Sequence, residues 1–450
     1  MRLGRSIAFL SAAIAAMGLC AQISIQAAGP PGLFHPDPQN IANRLYRQLH
    51  VRTETGGREN GFDALDPLLW RETNYLLAGK SRLRALDLAD EFLRTHAERQ
   101  ITDPAKRAIL QRDVWAVFDW ADQPDLPYQA ERRELMARLA RLVRRLALSQ
   151  DELAHLPDTY ALALQNHEFP AIHSPAHHNK AFLPPDLFDP SGPWVCLGAP
   201  NHDLAAPLHD SSFTARSVFL VFARLPGGRD ETLAYFKQLA ETKVSLFVRM
   251  QEPGWPQPME VWNPQVRQFP VGTEFALVRK MVLPDRDGHL QLTPVTESVQ
   301  IRFYTDTPKV SPMASRDVAL AQRFQEPSEI VLSRVLLFAK RGSGLRGVTA
   351  TDDPFRIFPA MSHGFDAFDD KDMGGRAGSP FVACTGCHLG PGIQSMMSFS
   401  FRGNPNAGPV FSPRLSETTP REESERVLEW AQTQKNWKDL LRLWSSETPH

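Results

Sequence analysis

Apolar positions recur at helical spacing through the first third of the chain, and residues 34–166 are predicted as a helical region. Over 81–95, Leu83, Leu86, Ala89 and Leu93 fall on one stripe. Asp103 followed by Pro104 reads as an N-cap with proline at the first helical position. The helix it opens would bury Ile109, Leu110, Val114, Val117 and Phe118. Leu135, Leu139, Leu142, Val143 and Leu146 mark another helix, with Arg138, Arg141, Arg144 and Arg145 on its other side. That arginine stripe reads as a solvated face, with an acidic partner as the alternative. Ser149 and Glu152 make a capping box for the next helix.

The period then changes. Residues 167–212 are rich in Pro, His, Asp and Ser and are expected to be a loop-rich connector. His173 and His177 have the spacing of helical metal ligands, but Pro175 between them argues for a surface loop. Over 213–345 the expectation is an antiparallel β-rich domain. Residues 218–223 form an unbroken apolar run, and 275–283 and 296–304 read as strands. Val299, Ile301 and Phe303 alternate there with Gln300, Arg302 and Tyr304. Residues 285–288 are a turn, 330–339 a further strand, and 232–241 a short helix. No nucleophile elbow, phosphate-binding loop, dinucleotide fingerprint or H-E-x-x-H motif occurs in this region.

Residues 346–450 form a loop-rich segment that ends in a helix. Thr419, Pro420 and Glu422 give that helix its start signal, and Val427, Trp430, Trp437, Leu441 and Trp444 lie on one stripe. Core packing explains such a stripe; packing over the edge of a bound ring system is the specific alternative. The fold class expected is therefore α+β: an N-terminal helical region, a central antiparallel β-rich domain and a loop-rich C-terminal segment ending in a helix.

Composition narrows the setting. A net charge of −1 over 450 residues provides no global field toward nucleic acid or anionic lipid. Arg2 and Arg5, followed by the apolar stretch 7–19 and small residues to Ala28, read as an export signal over 1–28. The expected location is periplasmic or otherwise exported. Lipid anchoring at Cys20 fits less well, because Leu19 stands where a small residue is usual. No later stretch is long enough to span a membrane. Beyond the signal, Cys196 sits in an apolar setting expected to bury an inert thiol.

The remaining two cysteines carry the chemistry. Cys384-Thr385-Gly386-Cys387-His388 reads C-x-x-C-H. Two thiols at this spacing can each form a thioether to one porphyrin vinyl group, and the adjacent imidazole then falls beneath the ring as proximal iron ligand. With 4 cysteines and 14 histidines placed at random, the pattern would arise roughly once in a thousand such sequences. At this pentapeptide the chain resembles c-type cytochromes, and the export signal agrees with that resemblance. It implies one covalent haem c on Cys384 and Cys387, with His388 on iron. The distal ligand is expected to be His363, with Met373 as runner-up. Gly374, Gly375 and Gly378 supply flexible chain between His363 and His388.

The activity this implies is electron transfer with a redox partner protein. A peroxidase-like haem enzyme with an open distal site is the alternative. A non-haem envelope protein, with the cysteines as a disulfide, a redox pair or a zinc half-site, is the third reading.

Overall fold

The computed structural model describes residues 32–53, 59–63, 65, 75–174, 180–199, 203–213, 216–242, 247–251, 259–307, 324–348, 388, 392–397 and 415–445. The fold is α+β. Six helices come first: α1 (Ile41–His50), α2 (Gly79–Arg94), α3 (Pro104–Ala121), α4 (Gln129–Leu146), α5 (Gln150–Ala154) and α6 (Thr159–Gln165). The predicted caps form. Asp103 accepts from the backbone N–H groups of Ala105 and Lys106, and Ser149 and Glu152 close their capping box. The stripe on α2 is rotated from the one expected. Ala85, Leu86, Leu88, Ala89 and Phe92 are buried, whereas Leu83 is 55% exposed. The run 85, 88, 89, 92 is the tighter i, i+3, i+4, i+7 match, and α4 packs on it. The arginine stripe of α4 is partly engaged within the chain. Arg138 pairs with Asp90, and Arg144 donates to the Trp444 carbonyl.

A seven-stranded antiparallel sheet follows, built from β1 (Val195–Gly198), β2 (Ser217–Arg224), β3 (Glu274–Pro284), β4 (Leu290–Tyr304), β5 (Gln325–Leu332), β6 (Leu345–Gly347) and β7 (Ser416–Glu417). Its spatial order is β6-β5-β4-β3-β2-β1-β7. Two strands at one end of the sheet come from outside the expected β region: β1 from the connector and the edge strand β7 from the C-terminal segment. The strand expected over 330–339 forms over 330–332 alone, as the end of a strand that begins earlier. Pairing stops at Leu332, where Ser333 caps a short helix, α9 (Arg334–Phe338), preceded in the chain by α7 (Pro207–Ser212) and α8 (Arg229–Glu241). Ser333 accepts from the Leu336 N–H, and the helix carries Arg334 to a fully buried ion pair with Asp113.

Both faces of the sheet are covered, which explains the unbroken apolar run of β2. Val218, Leu220 and Phe222 join the large core that includes helices α1 to α6. Phe219, Val221 and Ala223 join a smaller core with Tyr235, Phe236 and Leu239 of α8. The C-terminal helix is two helices rather than one, α11 (Pro420–Thr433) and α12 (Lys435–Ser445), separated at Gln434 by an extended backbone (ψ 147°). The short helix before them, α10 (Ile393–Met397), lies on the smaller core. The tryptophan stripe packs as core: the Trp437 ring lies 5.9 Å from that of Trp115 on α3. No helix among the described residues is long and apolar enough to cross a membrane.

Candidate functional site

The site sits on the smaller-core face of the sheet, where α7, β4, β5 and α10 converge. Of the residues predicted from sequence, His388 is described. Cys384, Cys387, His363 and Met373 lie outside the described residues, as do His177 and His178.

His388 is held from several directions. Its Nδ1 lies 2.6 Å from the Ser395 carbonyl oxygen. A carbonyl can only accept, so Nδ1 carries the proton and Nε2 keeps its lone pair. The His388 carbonyl accepts from Gln325 Nε2 on β5. Gln325 in turn accepts from Arg302 Nη1 at 2.7 Å. Ser395 is pinned by its hydroxyl, 2.6 Å from the Tyr304 hydroxyl on β4 and 2.9 Å from the Gly392 carbonyl. Gly392 has φ +55°, and a Cβ there would stand 2.4 Å from Gln268 Oε1, which accepts from the Ile393 N–H. Only glycine fits that approach.

Arg302 and Tyr304 share one face of β4 because side chains alternate with period two. The alternation was read correctly from sequence, but not what that face meets. Val299 and Ile301 face the large core, whereas Tyr304 is buried in the smaller core beside Ile393. Arg302 is half-buried and has no carboxylate partner among the described residues.

Facing His388 is His209 on α7. The ring centres are 6.2 Å apart, with planes inclined by 20°. Helix α7 is tied to the sheet by the residue after His209: buried Asp210 accepts from the Phe219 N–H on β2 at 3.3 Å. The His209 ring then rests against Phe219, 5.3 Å between centres, and the Phe213 ring also lies 5.3 Å from that of Phe219. Arg279 lies over Phe213, its guanidinium carbon 3.8 Å from the ring centre. It is committed to Glu297 at 2.7 Å.

Both imidazoles are held neutral. Burial, reinforced by Arg302 and Arg279, lowers the His209 pKa to about 4. Burial, then Arg302 and His209, pull that of His388 well below its ordinary value. Two neutral imidazoles and an uncompensated cation in an apolar recess can ligate a transition metal and attract the acidic groups of whatever carries it.

His209 was not singled out from sequence. It lies in the proline-rich connector, where no periodicity points to it, and only the tertiary fold brings it to His388. Pro207 at the first turn of α7 is the one local signal of the helix that carries it.

Other candidates are structurally occupied. His173 is paired with Glu326 at 2.7 Å and stacked on Phe303, so its ring serves packing rather than a metal. The Cys196 thiol is buried and pushed up to about 12, which leaves it inert as expected. Asp285, Asp287 and His289 come close together in the β3–β4 turn. There Asp285 Oδ1 already accepts from the N–H groups of Asp287 and His289. No family model, curated protein or solved structure matches this chain.

Proposed function

We propose that this chain is an exported mono-haem c-type protein that transfers electrons, with Cys384 and Cys387 as the thioether residues and His388 as the proximal iron ligand. The observation that supports this best is the environment of His388. The residue beside the C-x-x-C pair has its Nδ1–H committed to a backbone carbonyl and its Nε2 left with a lone pair. That is how ligating histidines are ordinarily oriented. The apolar wall of Phe213, Phe219 and Ile393 suits a porphyrin face. Arg302, which has no carboxylate partner among the described residues, suits a propionate. Haem c, when bound, would supply a one-electron couple tuned by its axial ligands and surrounding charge. The export signal supports the reading because haem c is attached outside the cytoplasm.

The test is covalent haem on protein matured in a periplasm. A pyridine haemochrome spectrum of the wild type should report one haem per chain. Haem-stained gels of the Cys384→Ala, Cys387→Ala double variant should be blank, since Cys196, the other thiol beyond the signal, is buried. A chain lacking residues 1–28 should accumulate as colourless protein. Persistent staining of the double variant, or a colourless wild type, would sink the assignment.

A further inference from the structure

The haem reading leaves the distal side of the iron to be assigned, and the structure offers a residue that the sequence did not suggest. We propose that His209 is the second axial ligand, opposite His388, which makes the iron six-coordinate and bis-histidine. This rests on the haem reading above and deepens it.

The argument begins with spacing. The two ring centres are 6.2 Å apart and the planes are within 20° of parallel, too far for face-to-face contact. A metal–imidazole bond of about 2.0 Å, with roughly 1.2 Å more to the ring centre, sets trans imidazoles about 6.4 Å apart, while a tetrahedral pair would be about 5.2 Å apart. The observed separation matches the trans arrangement of an axial pair and not the angle of a zinc site completed by the two cysteines.

Connectivity agrees. A residue just after His388 has little chain with which to reach the opposite side of a ring. His209 arrives from a separate element, α7, anchored to the sheet through Asp210 and resting on Phe219. No described residue makes a hydrogen bond to either ring nitrogen of His209. Its half-buried ring rests against Phe219 with a nitrogen lone pair open to a ligand.

The experiment uses the full chain matured in a periplasm. The pyridine haemochrome assay comes first; a wild type without covalent haem removes the haem reading and this proposal with it. In the holoprotein, near-infrared magnetic circular dichroism and electron paramagnetic resonance of the ferric wild type should show bis-imidazole low-spin iron. A His/Met charge-transfer band or high-spin iron in the wild type overturns the proposal and leaves the haem reading standing. His209→Ala should keep one covalent haem per chain, lose the low-spin signal and regain it on adding free imidazole. His209→Met, which keeps a ligand in place, should move the spectrum to the His/Met type. His363→Ala and Met373→Ala should leave the low-spin spectrum unchanged. An unchanged spectrum in both His209 variants, or loss of the low-spin signal in His363→Ala, overturns the assignment.

Discussion

The Nδ1 of His388 and the carbonyl oxygen of Ser395 are 2.6 Å apart. Ser395, seven positions on, therefore meets the imidazole and fixes its tautomer. Ser395 depends in turn on Tyr304, whose hydroxyl it meets at 2.6 Å. Tyr304→Phe removes that contact while Ser395 keeps the Gly392 carbonyl. The expected loss is about 1 kcal/mol, the net value of one hydrogen bond. Urea denaturation should show a lower midpoint at unchanged slope. A midpoint equal to wild type would mean that the hydroxyl pair contributes nothing.

The two imidazoles make the haem-free chain acid-sensitive. Their folded pKa values are depressed, to about 4 for His209 and well below the ordinary value for His388. The unfolded chain therefore takes up protons first as the pH falls. Stability should be level above about pH 6.5 and decline from there toward about pH 4, by up to about 1.4 kcal/mol per pH unit per ring. Urea curves of the Cys384→Ala, Cys387→Ala chain at several pH values test this. Adding His209→Asn should make the decline shallower; identical declines would show that His209 takes up its proton in the folded chain at no cost.

Glu297 holds two buried arginines. It accepts from Arg112 Nε at 3.0 Å and lies 2.7 Å from Arg279 Nε, and it also accepts from Ser217 Oγ. Glu297→Gln would leave two buried guanidiniums facing a neutral amide. The expected cost is about 3–5 kcal/mol, as for breaking a buried ion pair from one side. Thermal or urea denaturation measures it. A cost below about 1 kcal/mol, the range of exposed pairs, would show that water reaches this network.

Arg302 places a positive charge beside both imidazoles, as its lowering effect on each shows. If haem is bound as proposed, that charge would favour the reduced, less positive iron. Arg302→Gln should lower the midpoint potential, and Arg302→Lys should largely retain it. Spectroelectrochemical titration reads the difference; equal potentials in all three proteins would place Arg302 too far from the iron to matter.

Much of the fold was legible because it rests on local chemistry. Asp103-Pro104, Ser149-Glu152 and Thr419-Glu422 each announce a helix start that forms. The apolar run of β2 and the alternation of β4 are set by the faces they cover. What escaped depends on distant partners. Strands β1 and β7 are short elements at one end of the sheet whose pairing, Leu197 with Glu417 and Gly198 with Ser416, has no periodic signature. Ser333 could have signalled the end of β5, since serine before a short apolar stretch is a capping residue. The C-x-x-C-H motif was plain, but the recess around His388 is assembled from α7, β4, β5 and α10, whose separations in sequence carry no trace of their proximity.

The C-terminal helices also govern how the chain must reach its final state. Trp444 accepts from Arg144, 300 residues earlier, and β7 completes the sheet beside β1. The helical body and the sheet edge therefore stay open until the last segment arrives. Such long-range closure is slow, because the entropy of bringing distant segments together is lost before their contacts form. Synthesis must pass α12 before the apolar surface of α3 and α4 that this helix covers can be buried.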